Sequence, residues 1–274
     1  IIYNHWLQMP SIISVINQKG GVGKTTTAIN LSAGLALKNF KVLLIDLDPQ
    51  GNASTGIGVE QNDREKSVYD LLIKKNNFLE CVKKTKIENL NLIPANAELS
   101  GLESEIANDP QKAFLLKKII DDYFNSADIE KFTHVIIDCP PSLSLLTIMA
   151  LVASKSLIVP LQTEFFALEG LSQLVKTIDR LKANLNKNLG IQGIILTMYD
   201  KRNKLCIEVE NEARKFFGEK VYKVNIPRNV RISEAPSYGL PVILYDKYCT
   251  GSLAYHVLVD EFLERNNVEK QEVA

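Results

Sequence analysis

The sequence has only four cysteines, and no two of them form a C-x-x-C pair. Zinc motifs, iron–sulfur clusters and dithiol redox sites all depend on closely spaced cysteines. The spacing therefore argues against these sites, and isolated thiols are typical of a protein in a reducing, cytoplasmic compartment. The cysteines are Cys81, Cys139, Cys206 and Cys249.

Long apolar segments and an excess of charge of either sign are also absent. No apolar run approaches the roughly 18 residues that span a bilayer, and the first residues lack the basic and apolar regions of a secretory signal. The chain has 32 basic and 32 acidic residues, so its overall charge attracts neither nucleic acid nor a membrane. Contact with nucleic acid would need a local basic patch, and we expect no stable membrane association.

The composition is that of an ordinary globular protein. Hydrophobic residues make up 46% and charged residues 23% of the 274 positions, and this length suits one large domain. No repeat or low-complexity tract divides the chain. We predict a single domain over residues 9–265, an N-terminal extension over residues 1–8 outside the fold, and a flexible tail over residues 266–274.

Six apolar runs rich in Ile, Leu and Val alternate with segments of helical periodicity. Continuous runs are typical of strands buried on both faces, and the alternation implies parallel strands joined by crossover helices. The sequence thus predicts an α/β fold with a doubly wound, mainly parallel sheet of about seven or eight strands, and ligands at the carboxyl ends of the strands. The predicted strands are Ile12–Ile16, Val42–Ile45, Leu90–Ile93, Val135–Ile137, Leu157–Leu161 and Ile191–Leu196. The predicted helices are Thr25–Leu37, Ala113–Phe124, Ser142–Val152, Glu169–Leu185 and Leu205–Phe217.

A glycine-rich segment with two lysines lies between the first predicted strand and the first predicted helix. Glycines let backbone amides turn towards phosphate groups, and the amino end of the following helix favours the same negative charge. Lys24 is placed to reach the β- and γ-phosphates, and the Thr25 hydroxyl is placed to bind Mg²⁺. The alternative, a Gly/Lys-rich surface turn, does not explain the strand before and the helix after. The predicted nucleotide-binding residues are Lys19, Gly20, Gly21, Val22, Gly23, Lys24, Thr25 and Thr26.

The segment departs from the pattern G-x-x-x-x-G-K-[ST] because Gln18 occupies the first glycine position. A second lysine, Lys19, lies inside the loop, and its side chain cannot easily bend back to phosphates that its own backbone surrounds. Lys19 is therefore a candidate for reaching a nucleotide bound to a neighbouring subunit.

Acidic residues follow the second and fourth predicted strands. Asp46 and Asp48 lie where the second strand ends, and Asp138 ends an apolar run that is followed by Pro140–Pro141. A carboxylate at such a position holds Mg²⁺ or orients the attacking water, and Asp138 is expected to contact the metal through water. A metal-side role and a structural role both stay open for Asp46. The prolines stiffen a loop that can report whether the γ-phosphate is present.

These motifs resemble the deviant Walker-A P-loop ATPases of the ParA/Soj and MinD group, with similarity over residues 12–263. The resemblance implies the P-loop NTPase fold, ATP/ADP and Mg²⁺ as ligands, slow ATP hydrolysis, and an ATP-bridged homodimer that Lys19 crosses. It implies catalytic roles for Lys19, Lys24 and Asp48, and it places the adenine base near Pro227 and Asn229. ATP is favoured over GTP because the chain lacks an Asn-Lys-x-Asp motif.

Two further segments, residues 196–202 and 226–239, resemble the chromosomal ParA/Soj proteins in particular. The resemblance implies that Arg202 and Arg231 bind non-specific double-stranded DNA in the dimer, on the nucleoid. It also implies a ParB-type centromere-binding partner that stimulates hydrolysis during chromosome or plasmid segregation. Residues 170–240 contain 13 Lys or Arg and 7 Asp or Glu, an excess that suits contact with phosphates. Lys201 stands where relatives often have Pro or Ala, so the resemblance does not define the shape of that loop.

The alternative function is a MinD-like membrane-associated ATPase that places the division site. It shares the nucleotide site but needs a basic amphipathic helix at the end of the chain, whereas residues 257–265 are acidic and short. A biosynthetic ligase of the dethiobiotin-synthetase type is another class, which needs a substrate pocket and should lack the Arg202 and Arg231 pattern. A nitrogenase-type reductase needs paired cysteines at a subunit interface.

Overall fold

A computed structural model describes residues 10–126 and 131–272, the last six of these as backbone only. The predicted extension, residues 1–8, lies outside the described residues.

Seven strands form one sheet in the order β3-β4-β2-β5-β1-β6-β7. Every neighbouring pair is parallel except β3 and β4, which are antiparallel. The predicted α/β fold with a mainly parallel sheet is therefore confirmed. The strands are Ser11–Val15 (β1), Val42–Asp46 (β2), Lys83–Lys84 (β3), Leu90–Ile93 (β4), His134–Asp138 (β5), Ser156–Gln162 (β6) and Gly190–Thr197 (β7).

Helices cover both faces of this sheet. Those before β5 are Lys24–Leu37 (α1), Asn52–Gly56 (α2), Val68–Leu72 (α3), Phe78–Cys81 (α4), Leu102–Glu105 (α5) and Leu115–Asn125 (α6). Those after β5 are Leu145–Ala153 (α7), Ala167–Asn184 (α8), Lys204–Phe217 (α9), Val230–Glu234 (α10), Val242–Tyr245 (α11) and Thr250–Glu272 (α12). Helix α12 runs into the segment for which a flexible tail was predicted, and the flexibility of that segment stays a prediction.

The core divides into layers that follow the two faces of the sheet. On one face, α1 and α12 pack on β1 and β2, with Leu31 and Phe262 fully buried. On the other face, α6 and α7 pack on the same central strands through residues such as Ile120 and Met149. Helices α8 and α9 pack with β6 and β7. Burial on both faces explains why the strand sequences are continuously apolar rather than alternating.

The three central strands end at the same level. Val15 pairs in register with Asp138, and Asp138 pairs with Asp46. The glycine-rich segment after β1 and the acidic residues of β2 and β5 therefore lie together at the carboxyl ends of the strands. Parallel α/β folds bind their ligands at these ends.

Candidate nucleotide site

The glycine-rich segment forms a turn that leads directly into α1. Gly21 and Gly23 have φ angles of 73° and 89°, in the left-handed region that favours glycine. The Thr197 hydroxyl, at the end of β7, donates to the Val22 carbonyl over 2.9 Å and holds the middle of the turn. A Cβ at Gly20 would have no atom of the described residues within 4 Å apart from those of its chain neighbours, so the loop is open at this position.

Lys24 points into the site. Its side chain is buried, and its ammonium donates to the Lys19 carbonyl over 2.9 Å. Burial lowers the pKa of Lys24, while the nearby carboxylates of Asp138 and Asp48 act against that shift. The Lys24 ammonium thus contacts the loop and lies near the two acids that follow β5 and β2. This is the position expected of a group that binds phosphate.

Lys19 points elsewhere. Its side chain is 49% exposed and its ammonium forms an ion pair with Glu164, in the loop after β6. Its backbone N–H donates to Asn17 over 3.0 Å, and the Asn17 amide donates to the Pro160 carbonyl over 2.7 Å. The backbone of Lys19 is therefore fixed against β6, while its ammonium lies on the molecular surface.

Asp138 is fully buried at the end of β5. Burial raises its pKa well above the usual range, and the neighbouring Asp46 carboxylate adds to that rise. Thr25 lies close enough to lower the pKa, but neither carboxylate oxygen has a hydrogen bond of normal geometry with any described residue. Two unsatisfied buried oxygens beside a threonine hydroxyl suit a bound cation or an ordered water.

Asp46 is engaged in the structure of the neighbouring loop. Its Oδ2 accepts from the Ser54 N–H over 2.8 Å and from the Ser54 hydroxyl over 2.7 Å. Its Oδ1 accepts from the Asp48 N–H over 3.3 Å. Burial raises the pKa of Asp46 to about 6, and these hydrogen bonds oppose the rise. Of the two roles left open by the sequence, this geometry favours the structural one.

Asp48 lies two residues beyond β2 and is 8% exposed. Its carboxylate accepts from the Gln50 N–H over 3.0 Å, and its carbonyl accepts from the Gly51 N–H over 2.8 Å. These two contacts close a tight turn before α2. The Asp48 carboxylate is thus held at the rim of the site. It lies close enough to Lys24 to raise the pKa of that lysine.

A buried arginine packs against the turn formed by residues 48–51. The Arg64 guanidinium donates to the Val59 carbonyl over 2.7 Å and to the Thr55 hydroxyl over 2.8 Å, and it is 4% exposed. Any side chain at Gly51, which has a φ of 64°, would collide with this guanidinium. Arg64 therefore packs against the turn that carries Asp48, a contact that the sequence analysis missed because no local pattern marks it.

The segment predicted to contact the adenine base, residues 226–229, lies beside the segment that follows β7, residues 198–202. Directly after β7, the Tyr199 N–H donates to the Ile226 carbonyl over 3.0 Å, and Tyr199 pairs with Pro227. The Asn229 side chain accepts from the Arg231 N–H over 2.8 Å and donates to the Thr250 hydroxyl over 2.9 Å. Base contacts by Pro227 and Asn229 stay predictions, and Asn229 already has a structural role at the start of α10.

The arginines predicted to bind DNA lie within the second of these segments and two residues beyond the first. Both are exposed, and both are paired with acids of their own chain. Arg202 donates twice to Asp200, over 3.0 and 2.9 Å. Arg231 donates to Glu234 over 2.8 Å, and its Nε lies 3.4 Å from an oxygen of Asp246. The backbone pairing of Tyr199 with Pro227 holds the two segments together.

The described part of the chain contains no group of three or more His, Cys, Asp or Glu side chains arranged to hold a metal ion. Sites that bind Mg²⁺ with phosphates need few protein ligands, because waters and phosphate oxygens complete the octahedron. The metal roles of Thr25 and Asp138 therefore need no further acidic ligand, and they stay predictions.

Comparisons with known proteins agree with this geometry. The AAA domain family matches residues 10–191. The chain is 48% identical over 263 residues to the chromosome partitioning protein ParA of Caulobacter vibrioides, covering 96% of this chain and 97% of that protein. It is 49% identical over 253 residues to the sporulation initiation inhibitor protein Soj of Bacillus subtilis, covering 92% of this chain and 98% of that protein.

Solved structures share the fold over nearly the whole chain. Cobyrinic acid a,c-diamide synthase from Mycobacterium smegmatis, with bound ADP and magnesium, has a TM-score of 0.80 at 31% identity, covering 94% of this chain and 96% of that one. The septum site-determining protein MinD from Pyrococcus horikoshii, complexed with Mg-ADP, has a TM-score of 0.76 at 27% identity, covering 92% and 96%.

A parallel sheet with a phosphate-binding loop after β1 and acids at the ends of β2 and β5 defines a P-loop ATPase. Within this class, the ParA and Soj proteins are identical to the chain at nearly half of the aligned residues, over more than nine-tenths of its length. The chain belongs to the ParA/Soj family of chromosome-partitioning ATPases.

Two contacts at this site were absent from the sequence analysis. Glu164 pairs with Lys19 across 145 positions of the chain, and Thr197 reaches Val22 across 175. Both lie just beyond or at the carboxyl end of a strand, which is the one signal in the sequence that could have pointed to them.

Proposed function

We propose that this chain is an ATP-driven DNA-partitioning switch. ATP bridges two copies of the chain, the dimer binds DNA without sequence preference, and hydrolysis separates the two copies. Hydrolysis is slow until a ParB-type centromere-binding protein stimulates it. The chain acts in this way on a chromosome or plasmid, in association with the nucleoid.

The observation that carries this proposal is the opposite placement of two lysines in one loop. Lys24 is buried and directed at the acids of the site, whereas the Lys19 ammonium lies on the surface. Lys24 thus serves the nucleotide site of its own chain. The ammonium of Lys19 remains available to a second nucleotide site, on another copy. The outward lysine fits the ATP of a facing copy, since Lys19 cannot return to the phosphates that its own backbone surrounds.

The residues present suit ATP with Mg²⁺. The loop that is open at Gly20, the charge of Lys24 and the unsatisfied oxygens of Asp138 supply amides, a cation and an acceptor within one site. Thr25 and Asp138 would hold the metal, Asp138 through water. Bound Mg²⁺ would neutralise negative charge on the phosphates.

Residues of the chain itself bind the phosphates, orient the attacking water and contact DNA. Backbone amides of residues 20–25 bind phosphate oxygens, and Lys24 stabilises negative charge that develops on them. The Asp48 carboxylate orients the attacking water and accepts its proton. Lys19 of the facing copy adds a further positive charge, and Arg202 and Arg231 bind DNA phosphates.

A MinD-like membrane role finds less support. In α12, the large apolar residues Leu258 and Phe262 are fully buried against the body of the domain. Leu253 and Val257 are exposed, but acidic rather than basic residues follow them. No helix in the described part of the chain is long and apolar enough to cross a bilayer.

The first prediction compares DNA binding in three nucleotide states. We expect ATP, but not ADP or the absence of nucleotide, to make the protein dimerise and bind plain duplex DNA. The affinity should fall steeply with salt, because the contacts replace counterions on phosphates. Sedimentation reports the dimer and fluorescence anisotropy reports the bound DNA. Equal DNA binding in all three states would contradict the switch.

The second prediction concerns the ion pair that occupies Lys19. Glu164→Gln should free the lysine in both copies and strengthen ATP-dependent dimerisation by roughly two- to thirtyfold, because a dimer contains two such pairs and each exposed ion pair is worth about 0.2–1 kcal/mol. Sedimentation at several protein concentrations measures this constant. The matched control is Glu169→Gln, which removes an exposed acid five residues further on and should change nothing. A weaker dimer in Glu164→Gln would show that Glu164 serves the dimer and does not restrain Lys19.

A further inference from the structure

The glycine-rich loop, residues 19–25, can adopt many conformations unless other parts of the domain restrain it. Three of its seven residues are glycines, and glycine loses more backbone entropy on ordering than any other residue. A side chain that fixes the loop backbone in advance therefore lowers the cost of presenting its amides to a ligand. Asn17 makes such a contact at the start of the loop, and Thr197 makes one in the middle.

Thr197 is the last residue of β7 and is itself firmly held. It is 3% exposed and pairs in register with Gln162 of β6. The backbone on either side of it is also restrained, because the Ile226 N–H donates to the Leu196 carbonyl over 2.8 Å and the Tyr199 N–H donates to the Ile226 carbonyl over 3.0 Å. The Thr197 hydroxyl is thus a fixed donor next to the loop.

Both branches of the Thr197 side chain contact the loop. The hydroxyl donates to the Val22 carbonyl over 2.9 Å. A Cβ built on Gly23 would lie 3.8 Å from the methyl carbon of Thr197, so this methyl group lies close to the next loop residue. The hydrogen bond therefore fixes the direction of the Val22 carbonyl, and the methyl group limits the space available to Gly23.

The Val22 carbonyl and the Gly23 N–H belong to one peptide group. A trans peptide group is planar, so its carbonyl and its N–H point in opposite directions, and none of the described peptide bonds is cis. Because the carbonyl points at Thr197, the Gly23 N–H points away from β7. Within the described ranges of the chain, this N–H has no hydrogen-bond acceptor. It is therefore a free donor whose direction is set by Thr197.

Further free donors follow directly along the chain. Helix α1 begins at Lys24, and the N–H groups in the first turn of a helix have no acceptor within that helix. Gly23 precedes them and has no side chain that could accept from them. Such a group of donors, together with the helix dipole, favours a phosphate. The Gly23 N–H extends this group of donors into the loop.

We propose that Thr197 is a positioning residue of the nucleotide site, which directs the Gly23 N–H at a phosphate oxygen by holding the Val22 carbonyl. This role rests on the proposed function, in which the amides of residues 20–25 bind phosphate. Thr197 acts through the loop and does not touch the nucleotide. Without its hydroxyl, the Val22 carbonyl loses its partner, and the peptide group that carries the amide is free to rotate.

Two substitutions at this position isolate the hydroxyl. Thr197→Val replaces it by a methyl group of similar size, whereas Thr197→Ser keeps it. Titration with a fluorescent ADP analogue and Mg²⁺ measures nucleotide affinity without any need for a dimer. We expect Thr197→Val to weaken binding by about three- to tenfold, the effect of one hydrogen bond, and Thr197→Ser to bind within about twofold of the wild type.

Thr85→Val is the matched control. The Thr85 hydroxyl also donates to a backbone carbonyl, that of Leu90, over 2.7 Å. Thr85 directly follows β3, however, and β3 and β7 are at opposite edges of the sheet. This variant should bind the ADP analogue as the wild type does. Thermal unfolding without nucleotide shows whether each variant is folded at the assay temperature.

Steady-state turnover separates positioning from a general loss of structure. When hydrolysis is slow, KM equals the dissociation constant of ATP. Thr197→Val should therefore raise KM by about three- to tenfold and keep kcat within about twofold. A partly unfolded enzyme would instead lose kcat at an unchanged KM, and that result would overturn the positioning role. An equal loss of affinity in Thr197→Ser would overturn the role of the hydroxyl.

A variant of the loop itself separates this role from the proposed nucleotide site. Lys24→Ala should weaken binding of the ADP analogue on the order of tenfold or more, because it removes a charged donor to the phosphates. Unchanged binding in Lys24→Ala would contradict the nucleotide site and, with it, the role of Thr197. Weak binding in Lys24→Ala with wild-type binding in Thr197→Val would overturn the role of Thr197 alone.

Discussion

Asp48→Ala should lower ATP turnover on the order of 10²-fold or more while leaving ATP binding intact. The carboxylate is at the rim of the site, and the turn that presents it is closed by the N–H groups of Gln50 and Gly51 and packs against the buried Arg64. Phosphoryl transfer depends on positioning and charge, and the alanine removes the group that we propose orients the water. Lys24 and the phosphate-binding amides stay in place. Phosphate release and binding of a fluorescent ATP analogue measure the two quantities.

The same variant should hold the ATP-bound dimer on DNA, because the proposed release step is hydrolysis. Asp63→Ala is the matched control, since it removes an exposed acid from the same connection after β2. It should hydrolyse ATP and leave DNA as the wild type does. Normal turnover in Asp48→Ala would remove Asp48 from the mechanism, and slow turnover without a persistent dimer would separate hydrolysis from release.

The sheet was largely predictable because its strands are buried on both faces. All six predicted strands are present, and continuous apolar runs such as Val42–Ile45 leave few other interpretations. The seventh strand, β3, is Lys83–Lys84, which pairs antiparallel at the edge. Two lysines have no apolar pattern, and only the proximity of β4 makes them a strand. Short helices such as α2 and α10 are too brief for a helical period to show.

The site was predictable where its chemistry is local in sequence. The glycines, Lys24 and Thr25 form one uninterrupted segment between a strand and a helix, so their position at the start of α1 follows from spacing alone, while their binding of nucleotide stays a prediction. The role of Asp46 was not predictable, because it depends on Ser54 in a helix of only five residues. The ion pair of Lys19 with Glu164 depends on β6 lying next to β1, which a single sequence does not reveal.

The combined variant Arg202→Ala, Arg231→Ala should lose most of its ATP-dependent DNA binding. A dimer loses four arginines, and each phosphate contact contributes about one unit to the slope of log affinity against log salt. We therefore expect that slope to fall by up to about four units and the affinity at low salt to fall on the order of 10²-fold. Anisotropy with a labelled duplex over a range of salt concentrations measures both. Lys84→Ala, on the strand at the opposite edge of the sheet, is the matched control.

The acids that pair with these arginines, Asp200 and Glu234, compete with DNA for the same guanidinium groups. Removing such an acid should therefore have the opposite effect from removing its arginine. Hydrogen bonds from the Arg202 side chain hold the pKa of Asp200 down to about 2, so this acid is ionised throughout the neutral range. Asp200→Asn should therefore strengthen DNA binding by the dimer by roughly two- to thirtyfold, because two exposed pairs are removed and each is worth about 0.2–1 kcal/mol. Opposite effects of Arg202→Ala and Asp200→Asn would identify a direct phosphate contact. Weakening by both would instead indicate that the ion pair shapes the loop, and an unchanged salt slope in the arginine variant would place the DNA elsewhere.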